Sequence, residues 1–207
     1  MEAFYAQWII DEENLLNDLL SVPSDRPDLH IPLISRMLSH CAAYYNRKSQ
    51  IAERDIFQAF SCYWLTPVER SFLWLGGLKP DMIFRFVPSG LNMAQRSEIE
   101  QLRMQMMERR TELDMRMRQV EEAMTVLMAL AAVHGYVRNG EARGEATLRI
   151  AEMLRAVFDE ADRLRKYVVT KIIDILNTAQ TVRFLAMAVN FHLRARRYGL
   201  RQSGASG

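Results

Sequence analysis

Histidine and cysteine are the residues of this sequence best suited to metal binding or nucleophilic catalysis. They are His30, His40, His134, His192, Cys41 and Cys62. None of them forms the His-Glu-x-x-His or Cys-x-x-Cys spacing that brings zinc ligands together. No serine or cysteine stands in a Gly-x-Ser-x-Gly elbow or a comparable nucleophile motif. The sequence therefore predicts a protein that is not an enzyme and has no metal site.

The C-terminal segment combines one histidine with a strongly basic composition. No acidic residue follows Asp174, whereas this segment contains Arg183, Arg194, Arg196, Arg197, Arg201, Phe184, Phe191 and Tyr198. Basic side chains oppose the negative end of a helix dipole, and they could also contact an acidic partner or a calmodulin-like groove. The imidazole of His192 could ligate haem iron, or it could lie buried and hydrogen-bonded as core histidines commonly do.

The elements that must position these residues are helices. Apolar residues from Phe4 to Leu19 recur at steps of three and four, which predicts an amphipathic helix ending near Pro23. Helical spacing from 32 to 60 indicates one long helix or two. Thr66, Pro67 and Glu69 predict a capped helix start, and we expect this helix to include 72–75 and to stop at Gly76-Gly77. Pro80 opens another short helix that ends before Pro88.

The second half of the chain predicts longer helices. A segment beyond Ser97 has neither proline nor glycine until a glycine-containing loop, predicted from His134 to Gly144. Heptad-like apolar spacing on both sides of the loop predicts an antiparallel hairpin, although such seams could also join two copies as a homodimer. Asn177 and Gln180 predict a capping box for a last helix ending at Gly199. No alternating strand pattern occurs, so the predicted fold is an all-α multi-helix bundle with short N-terminal helices.

Length and composition limit the number of domains and the class of protein. The sequence has 207 residues, of which 49% are hydrophobic and 25% charged, as in ordinary globular proteins. We expect one domain over 1–201, with short helices in 1–90, the hairpin and last helix in 94–201, and a flexible tail at 202–207. A net charge of +2 gives no overall electrostatic footprint for nucleic acid. Two cysteines suit a reducing compartment, and neither a signal peptide nor a membrane span is predicted.

Several longer segments resemble a plant family. These segments are 44–49, 55–57, 64–77, 160–165 and 180–185. They are similar to the seed-dormancy control domain of the Delay of Germination proteins, a domain shared with the C-terminal part of TGA-type bZIP transcription factors. The resemblance covers nearly the whole chain. Three features look more like stand-alone Delay of Germination-like proteins: Lys79-Pro80, the glycine-rich loop before 144–146, and the segment 192–199. A pollen-aperture branch also shares the domain.

The resemblance implies a regulatory interaction protein with phosphatase partners. Dormancy members of the family are linked to type 2C protein phosphatases of abscisic-acid signalling. The segment containing Tyr5 and Trp8 resembles the N-terminal region associated with phosphatase contact, where two exposed aromatic residues would anchor an interface. Their three-residue spacing equally suits packing of the first helix onto the core.

The resemblance also implies haem binding. The similar segment of the family has two histidines four residues apart on the last helix; here the pair is His192 and Arg196. Because arginine stays protonated, only His192 could be an axial ligand, while Arg196 could bind a haem propionate or another carboxylate. An acyl chain enclosed by the helices is a related alternative.

A third interpretation is a transcriptional cofactor. The chain begins at the first helix of the domain, so we expect no direct sequence-specific DNA binding but association with bZIP or coactivator proteins. This role and the phosphatase role together predict a location in the nucleus and cytoplasm.

Overall fold

The protein is an all-α bundle, which confirms the predicted fold class. A computed structural model describes residues 1–133 and 140–204. The helices are α1 (Glu2–Ser21), α2 (Pro27–Arg54), α3 (Ile56–Ser61), α4 (Pro67–Ser71), α5 (Pro80–Ile83), α6 (Met93–Val133), α7 (Gly140–Ile175) and α8 (Thr178–Gly204). The remaining regular elements are two short strands, β1 (Leu73–Trp74) and β2 (Gly77–Leu78), and a 3-10 turn at Phe84–Phe86.

The second helix is longer than the proline content of this region suggests. α2 runs unbroken for 28 residues with Pro32 inside it.

The predicted capping box of α4 is confirmed, because Thr66 Oγ1 accepts from the Glu69 amide at 3.2 Å and the Glu69 carboxylate accepts from the Thr66 amide at 2.8 Å.

A small β-hairpin replaces the end of the helix that we expected through residue 75. α4 ends at Ser71, and β1 pairs with β2 in antiparallel register around Leu75 and Gly76, which have φ angles of 45° and 70°. The expectation of a continuous helix was therefore wrong. The tertiary cause is Arg165 of α7, whose guanidinium donates to the carbonyls of Trp74, Leu75 and Leu78.

The long helices form the predicted antiparallel hairpin. Gln95 of α6 donates to the carbonyl of Ile175, and Tyr167 of α7 donates to Gln105. Residue numbers therefore increase along α6 in the direction in which they decrease along α7, so the two helices are antiparallel. The seam buries Leu113 and Val120 of α6. The loop predicted from 134 to 144 overlaps α7, which begins at Gly140; the rest of that loop, residues 134–139, lies outside the described part of the chain.

The last helix lies at the centre of the N-terminal half, where it packs on α1, α2 and α4. Its predicted capping box is confirmed by reciprocal bonds of 2.9 Å between Asn177 and Gln180. The predicted end at Gly199 is wrong, because α8 continues to Gly204. Gly199 instead permits a close approach of helices, since a Cβ there would lie 2.2 Å from Thr66 Oγ1.

Candidate functional site

Five polar side chains from three helices meet in the interior, and we call them the buried polar cluster. They are Tyr5 and Glu12 of α1, Glu69 of α4, and His192 and Arg196 of α8. Residues three or four apart on a helix share a face, so Trp8 lies beside Tyr5 and Glu12, and Arg196 lies one turn beyond His192. The side chains of Glu12 and Glu69 are only 4% and 3% exposed.

Every member of the cluster is hydrogen-bonded or ion-paired to another member. The Tyr5 hydroxyl donates to Glu69 Oε1 at 2.7 Å and lies 2.8 Å from His192 Nε2. On the other side of the ring, His192 Nδ1 lies 2.6 Å from Glu12 Oε2. The Arg196 guanidinium lies 3.4 Å from Glu69 Oε2 and 4.7 Å from the centre of the Tyr5 ring. The cluster thereby joins α1, α4 and α8.

Electrostatics keep His192 protonated. Burial alone would lower the pKa of His192, but the charge and hydrogen bond of Glu12, together with those of Glu69, outweigh it and raise the pKa to about 9. Burial would likewise raise the pKa of Glu69, yet hydrogen bonds from His192, the Thr66 backbone and Tyr5 lower it to about 2. Two carboxylates thus face an imidazolium and a guanidinium, so these charges balance within the cluster.

Tyr5 and Trp8 lie in the core. Tyr5 is 1% exposed and Trp8 is 9% exposed, so the expectation of two exposed aromatic anchors is wrong. Trp8 stacks on His40 with ring centres 4.3 Å apart and donates its indole N–H to the His40 carbonyl at 2.9 Å. The alternative interpretation, that the spacing of these residues packs the first helix onto the core, is the one observed.

His192 and Arg196 do not fit haem. A haem ligand needs a neutral imidazole nitrogen with a free lone pair. Both ring nitrogens of His192 already have partners, and the ring carries a proton at neutral pH. Arg196 is occupied by Glu69 rather than free for a propionate.

A cavity of about 200 Å³ lies next to the cluster. It is partly open and is lined by side chains of α1, α2, the β-hairpin and α8, as well as by Phe72 between α4 and β1. This volume is below the roughly 300–1,000 Å³ of sites for drug-sized ligands, so neither haem nor a long acyl chain fits in it.

A second buried network holds the β-hairpin and was not predicted. Lys48 of α2 is fully buried and contacts both oxygens of Asp162 at 2.8 and 2.9 Å. Arg165 donates to the same carboxylate at 2.6 Å while it binds the hairpin carbonyls. The signal that could have found these residues is helical spacing: Lys48 follows Tyr44 and precedes Ala52 at steps of four, on the buried side of α2.

In the part of the chain that the structure describes, the thiols and the acidic groups are not arranged for nucleophilic catalysis or metal binding. Burial raises the pKa of Cys41 to about 12 and that of Cys62 to about 11, which leaves little thiolate at neutral pH. Within 1–133 and 140–204, no three histidine, cysteine or acidic side chains are grouped to hold a metal ion. No described helix combines the length and apolar character needed to cross a membrane.

Comparisons with known proteins agree with the resemblance seen in the sequence. A family model described as seed dormancy control matches residues 13–89. Protein DOG1-like 4 of Arabidopsis thaliana is 33% identical over 96% of this chain and 91% of its own length. Protein RESPONSE TO ABA AND SALT 1 of the same plant is 26% identical over 79% of this chain and 76% of its own length.

Transcription factors match more weakly. Transcription factor TGA2.3 of Oryza sativa subsp. japonica is 25% identical over 93% of this chain, which corresponds to 61% of the factor. The similarity to Protein DOG1-like 4, at 33% identity, covers almost the full length of both proteins. The chain therefore belongs to the seed dormancy control family.

Proposed function

We propose that the protein is a non-enzymatic regulatory module that binds a type 2C protein phosphatase in abscisic-acid signalling, in the nucleus and cytoplasm. Membership of the seed dormancy control family supports the regulatory part. The name of the relative RESPONSE TO ABA AND SALT 1 supports the link to the hormone.

The observation that carries the proposed partner site is the free face of α1. Tyr5, Trp8 and Glu12 fix one side of this helix against α2 and α8. The opposite side presents Ile10, which is 52% exposed, among the exposed polar residues Gln7 and Asn14. α1 contains acidic residues and no lysine or arginine, so this surface is apolar and acidic. In this proposal Tyr5 and Trp8 act by positioning α1, and Ile10 touches the partner.

The test is affinity capture from plant extract, quantified by mass spectrometry. We expect the wild-type chain to enrich type 2C phosphatases and Ile10→Glu to lose about tenfold or more of this enrichment, since a charge would replace an apolar anchor. Leu148→Glu is the matched control, because Leu148 is 66% exposed on α7. Equal capture by the wild-type chain and Ile10→Glu, or no phosphatase with either, would refute the proposed partner site.

A second candidate function is a transcriptional cofactor that associates with bZIP or coactivator proteins. Its support is the similarity to TGA2.3 over nearly the whole of this chain. In the same capture, enrichment of bZIP proteins in place of phosphatases would favour it. We expect any DNA binding by the purified chain to be weak and to vanish with added salt, as expected for a few surface arginines.

A further inference from the structure

The cavity beside the buried polar cluster has the size of a small ring system. Its volume is about 200 Å³, and small residues at Gly77, Ala188 and Ala195 contribute to its walls. An engineered cavity of roughly 150 Å³ in another protein holds benzene, whereas drug-sized ligands need about 300 Å³ or more. One ring or two fused rings would therefore fill this space.

The walls favour an aromatic occupant. Aromatic rings line the cavity on several sides. They belong to Tyr44 and Tyr45 of α2, to Phe72 after α4, to Phe86 of the 3-10 turn and to Phe191 of α8. Phe191 also contacts Phe72 edge-on, with ring centres 5.0 Å apart, so these walls are held in fixed orientations. Flat aromatic molecules gain from stacked and edge-to-face contacts beyond the burial of their area.

The polar end of the cavity offers a hydrogen-bond acceptor. Glu12 lines the cavity and is 3% exposed. His192 Nδ1 engages Glu12 Oε2, while no group in the described part of the chain donates to Glu12 Oε1. Glu12 Oε1 is not among the fully buried polar atoms left without a partner, so a group in the cavity can reach it, and a ligand that supplies an N–H or O–H there gains a hydrogen bond.

The charges at the Glu12 end of the cavity favour a neutral ligand. Glu12 and Glu69 are matched there by His192 and Arg196, whereas Lys48 and Arg165 share the one carboxylate of Asp162 at the other end. A ligand whose donor group is charged would lose its hydration at the Glu12 end without meeting an unpaired opposite charge there. We propose that the cavity binds a small, neutral aromatic molecule with one N–H or O–H donor, which donates to Glu12 while its ring packs against Phe191.

Indole and benzofuran are matched probes for this site, because they share a shape and differ in the N–H donor. Titration calorimetry on the full chain should show saturable binding of indole, and benzofuran should bind about tenfold more weakly because it leaves Glu12 Oε1 without a donor. Equal affinities would overturn the donor part of the proposal. An absence of saturable indole binding would overturn the site itself, as expected if the cavity holds only water.

Substitutions that fill the cavity test whether indole binds there. Ala188→Leu places three more carbon atoms in the cavity and should abolish indole binding, whereas Ala156→Leu, at an exposed position of α7, should bind like the wild type. Ala195→Leu fills the same cavity from two turns further along α8 and is the substitute variant if Ala188→Leu does not fold. Indole binding retained in a folded cavity variant would overturn the assignment. Phosphatase capture is measured separately, so its result and this one are independent.

Discussion

His192 carries a proton at neutral pH because two buried carboxylates surround it, and this gives the protein a pH-dependent stability. The pKa of His192 rises to about 9 in the folded protein, above its ordinary value of 6.5. The stabilisation is therefore complete below about pH 6.5 and is lost as the pH rises through about 9. We expect this group to contribute about 2 kcal/mol of unfolding free energy that disappears over that range.

The measurement is urea unfolding of the wild type and His192→Gln at about pH 6 and about pH 10. His192→Gln should be less stable than the wild type at the lower pH, because it leaves Glu12 buried without a cation and Glu69 with Arg196 alone. The difference in unfolding free energy between the two proteins should narrow as the pH rises. Arg194→Gln, at an exposed site on the same helix, should keep the wild-type pH dependence. A difference in unfolding free energy between the wild type and His192→Gln that stays constant with pH would contradict the protonated state of His192.

Trp8 is expected to matter for stability. Trp8→Ala should lower the unfolding free energy by about 3–5 kcal/mol, as large-to-small changes in a packed core do. Tyr198→Ala is the matched control: Tyr198 is 56% exposed, so its loss should change stability by about 0.5 kcal/mol or less. A Trp8→Ala protein with unchanged thermal and urea midpoints would contradict the core position of Trp8.

The sequence predicted part of the cluster. Tyr5 and Arg196 were candidates because of the family resemblance, and His192 was one for its imidazole as well. Glu69 appeared only as part of a helix cap, and Glu12 was not identified as a site residue. Glu12 follows Trp8 by four and precedes Leu15 by three, so it occupies a position of the apolar face. Whether such a carboxylate is paired depends on His192, far away in the chain, which local spacing does not reveal.

At the scale of elements, the contact between α8 and α4 depends on Gly199. Gly199→Ala should cost about 1–3 kcal/mol, because the new Cβ would clash with Thr66 and disturb the cap of α4. Gly144→Ala is the control, since nothing lies within 4 Å of its added Cβ, and it should stabilise the helix by about 0.5 kcal/mol. The measurement is the thermal unfolding midpoint of both variants relative to the wild type. Equal shifts of the midpoint in the two variants would contradict the close packing of α8 on α4 at Gly199.

The β-hairpin depends on the shape of one guanidinium. Arg165→Lys should destabilise the protein by about 3 kcal/mol, because a lysine cannot bind Asp162 and the hairpin carbonyls together. Arg163→Lys, whose side chain is 67% exposed, should change the unfolding free energy by about 0.5 kcal/mol or less. Similar urea midpoints for the two variants would show that the hairpin does not need Arg165.

The elements differ in how much the sequence could predict. Periodicity and capping boxes predicted the start of α4 and the start of α8 because both signals are local. The β-hairpin was missed because its stabilising partner lies on α7, and because Leu75 adopts a positive φ that its residue type disfavours. The end of α8 was misplaced since a glycine can serve helix packing as well as termination.

At the scale of the whole molecule, burial is uneven along the chain. α8 is covered by α1, α2 and α4, while α6 packs chiefly on α7 and exposes Met115, Val126 and Met128. We expect amides of 115–129 to exchange hydrogen faster than those of 184–193, because opening that part of α6 exposes less apolar surface. Hydrogen exchange read by mass spectrometry tests this, and equal protection in both segments would contradict it.

The bond between Tyr5 and His192 spans 187 positions, and this has a consequence for biosynthesis. At about 5–20 residues per second, the ribosome needs roughly 10–40 s to add the second partner after the first. During that time the nascent chain presents Tyr5, Trp8 and Glu12 without the helix that covers them. The first helix is therefore a natural client for chaperones until the last segment leaves the exit tunnel, and a truncation before α8 would prolong that exposure indefinitely.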